Sequence, residues 1–167
     1  MEWNGKVTND IIKNRKGRFG LILCVIVDDR MGLTFNHRRQ SQDRLLRSRL
    51  LEETRGGRLW INHYTAEQFD APLADNIIVD EDFLDKAEKE DFCFVENLPV
   101  AKYKNRIDKI ILFKWNSVYP ADTYFDISLA EDGWKLKSVL EFEGNSHKKI
   151  TREEWENEKQ KEKITSV

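Results

Sequence analysis

"LILCVIV", residues 21–27, is the longest apolar run in the chain, and it ends at Asp28 and Asp29. A continuous run of aliphatic and β-branched residues predicts a strand that is buried on both faces at the centre of a sheet. The run is far shorter than the roughly 18 residues that a membrane-spanning helix needs. We therefore expect a soluble α/β protein built around this strand, without a membrane partner.

Downstream of this strand, helix and strand signals alternate and then give way to strands alone. Ser41 is a candidate N-cap of a helix that Gly56-Gly57 would end. Further strands are predicted at 58–62, 76–79, 92–95, 109–115, 134–144 and 146–151. This order predicts an α/β mixed sheet, mostly parallel with an antiparallel C-terminal hairpin, flanked by short helices.

The chain divides into three segments by composition. Residues 1–19 are polar, carry "KNRKGR" and lack the features of a secretory signal, which predicts an N-terminal extension. Residues 20–152 are predicted to form a single α/β domain. Residues 153–167 are predicted to be a charged tail, and the string "REEWENEKQKEK" at 152–163 is either a solvent-facing helix or a frayed end.

Charge and cysteine usage narrow the function classes. The net charge of −2 argues against a dedicated, strongly basic nucleic-acid binder, so RNA binding would need a local basic patch. Cys24 and Cys93 both lie in strand-like apolar runs, which favours core packing in a reducing, cytoplasmic setting. The three histidines have no metal-ligand spacing, and no metal site is expected.

Several strings, taken in order, resemble the dihydrofolate reductase family over nearly all of residues 21–152. "VDDRMGLTFN" is similar to that family's first strand and mobile loop, and "LWINHYTAEQF" to its second strand and the following helix. The C-terminal strings are similar to its closing strands: "KIILFKW", "ADTYFDISLAEDGW" and "SVLEFEGNSH". The resemblance implies the same mixed sheet and a ligand pocket beside the first helix.

The resemblance places the family's catalytic carboxylate on Asp43, the acid at the start of the first predicted helix. A lone carboxylate facing an apolar pocket can hold a raised pKa and relay a proton to a bound heterocycle. The alternative is that Asp43 complements the positive N-terminus of the helix. Both interpretations remain open at this stage.

The family's NADPH-binding positions have changed. His63, Tyr64 and Thr65 stand where the family receives cofactor phosphate groups, and they are candidate cofactor-binding residues. Glu96-Asn97 stands where the family has a Gly-Gly pair that lets the backbone approach the cofactor. An acidic side chain there would repel a pyrophosphate, which argues against ordinary NADPH binding and leaves any cofactor unknown.

Other departures also indicate a remodelled pocket. Arg38-Arg39 replaces the Pro-Trp of the mobile loop, Phe113 stands at the position of a threonine that would bond the catalytic acid, and Asp75 stands near a missing folate-tail arginine. The chain is therefore expected to be a divergent relative that binds a nucleotide-like or heterocyclic small molecule and does not act as a standard folate reductase.

The stretch from Phe35 to Arg47 is rich in arginine and contains the candidate substrate- or phosphate-binding residues: Phe35, Arg38, Arg39 and Arg47. Arginine forks bind phosphate groups bidentately, so this patch, together with Arg44, could hold a small anion or an RNA backbone. His37 and His63 could join Asp43 in RNA cleavage if they converge. The alternatives are a solvated helix face and a non-catalytic interaction scaffold.

Overall fold

The structure is a computed structural model that describes residues 20–158. Its strands are β1 Leu21–Val27, β2 Gly32–Phe35, β3 Arg38–Arg39, β4 Leu59–Ile61, β5 Ile77–Val79, β6 Phe92–Phe94, β7 Ile107–Lys114, β8 Thr123–Tyr124, β9 Trp134–Phe142 and β10 Ile150–Asn157. Its helices are α1 Arg44–Glu53, α2 His63–Ala66 and α3 Phe83–Lys86, with a 3-10 helix at Ala101–Arg106.

The main sheet has seven strands in the order β5-β4-β6-β1-β7-β10-β9. The pairs that join β5, β4, β6, β1 and β7 are parallel, whereas β10 is antiparallel to both β7 and β9. The predicted mixed α/β sheet with an antiparallel C-terminal hairpin is confirmed. Strand β1 lies in the middle position, as its continuous apolar run predicts.

Strand β1 has a hydrophobic cluster on each face. Leu21, Leu23, Val25 and Val27 point into one cluster, which also contains Trp60. Cys24 points into the other, where Leu46 and Leu50 of helix α1 pack. Successive side chains of a strand point to opposite faces, so β1 carries both halves of the core and fixes α1 on one side of the sheet.

A second, small sheet was not predicted. It has the strand order β3-β2-β8 and pairs Phe35 with Arg38 and Gly32 with Tyr124. Each of its outer strands is only two residues long, too short to give a period-2 signal in the sequence. This sheet carries the Arg38-Arg39 dipeptide next to the C-terminal end of β1.

The last strand differs from its prediction at both ends. Residues 144–149 form a loop, so the strand predicted at 146–151 begins only at Ile150. The strand continues to Asn157, so the prediction of a helix or frayed end is wrong for residues 153–157. Their charges pair across the sheet, with Lys114 Nζ 3.7 Å from Glu153 and Lys109 Nζ 3.5 Å from Glu154. The predicted 1–19 extension and residues 159–167 lie outside the described residues.

Within residues 20–158, no helix is long and apolar enough to cross a membrane.

Asp28 ties the end of β1 to both sheets. Its fully buried carboxylate accepts hydrogen bonds from the backbone N–H groups of Arg30 and Gly32, both at 2.8 Å, and from Tyr119 at 3.1 Å. The side-chain amide of Gln40 donates a fourth at 2.9 Å. These bonds fix the turn into β2 and the loop that follows β7.

We expect Asp28→Ala to lower the free energy of unfolding by roughly 2–4 kcal/mol, because four donors to a charged acceptor lose their partner. Urea denaturation of the purified protein measures the change. Asp29→Ala is the matched control, since Asp29 is the next residue and its side chain is exposed. Equal losses in the two variants would contradict the anchoring role of Asp28.

Candidate functional site

A cleft opens where the C-terminal end of β1 meets the first turn of helix α1. Its apolar lining comes from Ile26, Leu33, Leu46 and Trp115. Its polar lining comes from the segment 39–43 together with Arg47, Gln68 and Glu96. The cavity volume is about 20 Å³, counted as space for the centre of a water molecule. That is room for one or two waters.

Asp43 is the N-cap of helix α1, which confirms the helix-terminus interpretation. Its Oδ1 accepts from the N–H of Leu46 at 3.1 Å and from that of Asn145 at 2.9 Å. Its Oδ2 accepts from the N–H groups of Ser146 at 2.8 Å and His147 at 3.1 Å. The carboxylate thus joins the start of α1 to the loop between β9 and β10. The predicted N-cap, Ser41, lies two residues before the observed one and lines the cleft.

The raised pKa expected for Asp43 is wrong. Burial alone would raise the pKa, but the backbone N–H groups of Asn145, Ser146 and Leu46 and the ring of His147 hold it well below its ordinary value. A carboxylate that accepts several N–H bonds is stabilised as the anion and does not carry a proton near neutral pH. The catalytic role of Asp43 stays a prediction, and the saturated oxygens leave it poorly placed to protonate a ligand directly.

His147 lies against Asp43 and makes polar contacts through both ring nitrogens. Nδ1 is 3.1 Å from Asp43 Oδ2, and Nε2 is 3.1 Å from Ser41 Oγ and 3.0 Å from the hydroxyl of Tyr119. The ring stacks on Trp115, with centroids 4.4 Å apart and planes at 27°. A second serine hydroxyl, Ser146 Oγ, lies 3.0 Å from Nδ1. The imidazole is therefore held in a single orientation.

Glu96 is paired inside the cleft. Arg39 makes a bidentate ion pair with it, with Nε 2.8 Å from Oε2 and Nη2 3.0 Å from Oε1. Gln68 donates a further bond to Glu96 Oε1 at 3.0 Å, and the Arg39 guanidinium lies 4.6 Å from the centre of the Tyr64 ring. The pKa of Arg39 is raised: burial opposes the rise, but the bond and charge of Glu96 outweigh it. This pair occupies the position that the resemblance assigns to the Gly-Gly motif.

The predicted cofactor-binding residues are partly committed to other contacts. The backbone N–H and the ring Nδ1 of His63 both lie 2.8 Å from Glu81 Oε2. The N–H of Thr65 bonds to Asn62, the N-cap of the four-residue helix α2. The hydroxyl oxygens of Tyr64 and Thr65 are buried and have no hydrogen-bond partner among residues 20–158. The cofactor role of these residues stays a prediction.

The structure brings only some of the predicted arginines into the cleft. Arg39 and Arg47 line it, whereas Arg38, Phe35 and Arg44 do not. Arg38 and Arg39 are neighbours on β3 and therefore point to opposite faces of the small sheet. Arg44 is exposed and donates to Asn145 Oδ1 at 3.1 Å. The arginine patch is thus divided between the cleft and the outer surface.

Sequence reasoning missed the partner of Asp43. It considered His37 and His63, yet within residues 20–158 neither has a hydrogen bond to Asp43, and His147 does. The one available signal was the "NSH" string after the β9 strand, which served only as a mark of resemblance. Across that same described range, no group of three or more His, Cys, Asp or Glu side chains could hold a metal ion.

We expect Asp43→Asn to destabilise the protein by roughly 2–4 kcal/mol at pH 7, because an amide cannot accept from all the donors around it. The pKa of Asp43 is lowered on folding, so its contribution is complete above the unfolded value of about 4 and is lost as the pH falls further. The deficit should shrink between pH 7 and pH 3 in urea unfolding. Asp75→Asn, at an exposed carboxylate, is the control. A deficit that does not change with pH would contradict this role.

Comparison with known proteins supports the fold and goes no further. No family model matches the chain, and no curated protein matches it by sequence. Among solved structures, it is similar to dihydrofolate reductase from Enterococcus faecalis, determined in complex with NADP(H) and RAB-propyl, with a TM-score of 0.60 and 12% sequence identity. The match covers 83% of this chain and 96% of that one. The chain has the dihydrofolate reductase fold.

Proposed function

We propose that the protein binds a small anionic heterocyclic or nucleotide-like molecule at the rim of the cleft, and that it does not act as a standard NADPH-dependent folate reductase. The proposal rests on the position and contacts of Arg47. Its side chain lines the cleft, and within residues 20–158 its polar contact is with a neutral group, Gln42 Oε1, at 3.4 Å. A guanidinium that lines a cleft and has no carboxylate partner among the described residues favours a carboxylate or phosphate ligand.

Gln40 supports a ligand that also carries a hydrogen-bond donor. Its side-chain nitrogen is bound to Asp28 at 2.9 Å, which fixes the direction of the amide. Its Oε1 is buried and has no hydrogen-bond partner in the part of the chain that the structure describes, and Gln40 lines the same cleft as Arg47. Buried acceptors are nearly always satisfied in native proteins, so a ligand N–H or O–H would complete this one.

The Arg39–Glu96 pair argues against NADPH as the ligand. The Arg39 and Glu96 side chains are only 19% and 8% exposed. The glycines that would let the protein backbone approach a pyrophosphate closely are absent. Separating the pair to admit a cofactor would leave a buried charge, which is costly. The small cavity likewise favours a ligand that lies mostly at the rim.

A thermal-shift screen tests this proposal, using nucleotides, pterins, folates, NADPH and short RNA at two salt concentrations. A ligand at about 100 times its dissociation constant should raise the melting temperature by roughly 5–10 °C. We expect an anionic small molecule to give this shift and Arg47→Met to abolish it. Arg55→Met is the matched control, because Arg55 is highly exposed and pairs with Glu52.

Each other outcome rejects the proposal in favour of a stated alternative. Stabilisation by NADPH would restore the reductase interpretation. Stabilisation by RNA alone, lost steeply with salt, would favour a nucleic-acid binder that uses the outer arginines. No shift with any compound would favour a scaffold without a ligand.

A further inference from the structure

Three side chains at the rim of the cleft form a linear polar chain. Ser41 Oγ lies 3.1 Å from His147 Nε2, and His147 Nδ1 lies 3.1 Å from Asp43 Oδ2. Asp43 is fully buried, His147 is 10% exposed at its side chain, and Ser41 is half-buried and lines the cleft. The carboxylate is thus the most buried of the three groups, and the serine lines the cleft.

We propose that Ser41, His147 and Asp43 form a serine-hydrolase relay that cleaves small carboxylic esters at the rim of the cleft. The geometry meets the general requirements: a nucleophile within hydrogen-bond reach of a base, and that base oriented by a third group. The inference deepens the proposed function and rests on it for the substrate class, since Arg47 would hold an anionic group of the ester.

Each member of the relay has a definite role. Asp43 only accepts hydrogen bonds, so the ring nitrogen facing it, Nδ1, carries the proton, and Nε2 is left as the acceptor for the serine hydroxyl. The N–H bonds to Asp43 keep it ionised, which stabilises the imidazolium that forms when His147 takes a proton. The stack on Trp115 prevents the ring from turning away. Asp43 is a positioning residue, whereas Ser41 and His147 act on the substrate.

The reaction balances without a metal or redox cofactor. Ser41 Oγ attacks the ester carbonyl carbon, a C–O bond forms, and the hydroxyl proton passes to His147 Nε2. The ester C–O bond then breaks, and His147 returns the proton to the leaving alcohol. Water attacks the acyl-serine and gives a proton to His147, which passes it to Ser41 Oγ as the carboxylic acid departs. Gln42 lines the cleft, and its side-chain N–H would donate to the carbonyl oxygen as that oxygen gains charge.

Tyr119 provides a sharp internal test. Its hydroxyl also lies 3.0 Å from His147 Nε2, and a neutral imidazole nitrogen has one lone pair, so Tyr119 and Ser41 compete for the same acceptor. Removing the tyrosine hydroxyl should leave Nε2 to Ser41 alone. A relay therefore predicts that Tyr119→Phe makes Ser41 more reactive, whereas a purely structural network predicts no increase.

The experiment is covalent labelling of the full chain with a neutral fluorophosphonate, followed by intact mass and peptide mapping. We expect one adduct, on Ser41, that is absent in Ser41→Ala and forms about 100-fold more slowly in His147→Gln. Tyr119→Phe should label faster than the unmodified chain, and p-nitrophenyl acetate hydrolysis should follow the same order. Ser48→Ala, at an exposed position on helix α1, is the control and should label normally.

The failures of the two proposals are distinguishable, because the probe is uncharged and does not need Arg47. No adduct on Ser41, or an equal rate in a His147→Gln variant that melts cooperatively, overturns the relay whatever the ligand screen shows. If His147→Gln does not fold, labelling of Tyr119→Phe that is no faster than that of the unmodified chain overturns it instead. Labelling of Ser41 with no ligand stabilisation supports the relay and removes the anionic-ligand proposal.

Discussion

The buried carboxylate of Asp43 is the constraint on which this end of the molecule depends. An ionised group removed from water must have all its acceptor sites satisfied, and here the donors come from helix α1 and from the loop between β9 and β10. The helix start, the loop and the His147 ring are thereby fixed relative to one another. Gly144 shows how close the approach is, since a Cβ there would lie 2.4 Å from Asp43 Oδ2. The loop can take this path because that position carries no side chain.

A second constraint is the compensation of charge inside the cleft. Glu96 alone would be an unpaired buried carboxylate, and Arg39 alone a half-buried cation without a partner. Together they form a bidentate pair that fills space. Because the two charges compensate each other, neither is left to attract or repel a ligand. The two departures from the family pattern, Arg38-Arg39 for Pro-Trp and Glu96-Asn97 for Gly-Gly, therefore amount to one structural change. Arg47 is left as the cationic side chain that faces the cleft without an ion pair in the described part of the chain.

The sequence allowed the main sheet to be predicted because its signals are local. A continuous apolar run predicted β1 at the centre, and the succession of strands after residue 107 predicted the antiparallel hairpin. The errors arose where distant contacts decide the structure. The first residues of the strand predicted at 146–151 belong to a loop that is held by Asp43. The charged residues of β10 form a strand because they pair with β7 and β9 on either side, with Lys109 and Lys114 close enough to compensate their charge. Both contacts join residues that are far apart in the sequence, so a pattern read over neighbouring residues does not contain them.

The candidate site follows the same division between local and distant signals. Asp43 could be singled out from its place at a helix start, but the direction of its pKa shift could not. That direction depends on N–H groups 102 and 103 residues further along the chain. The same saturation that makes Asp43 a poor proton donor to a ligand suits a carboxylate that orients a neighbouring base, because such a group must stay ionised and must not move. In this chain the acid at the start of the first helix is therefore turned toward His147, because the loop between β9 and β10 supplies both the N–H donors and the ring.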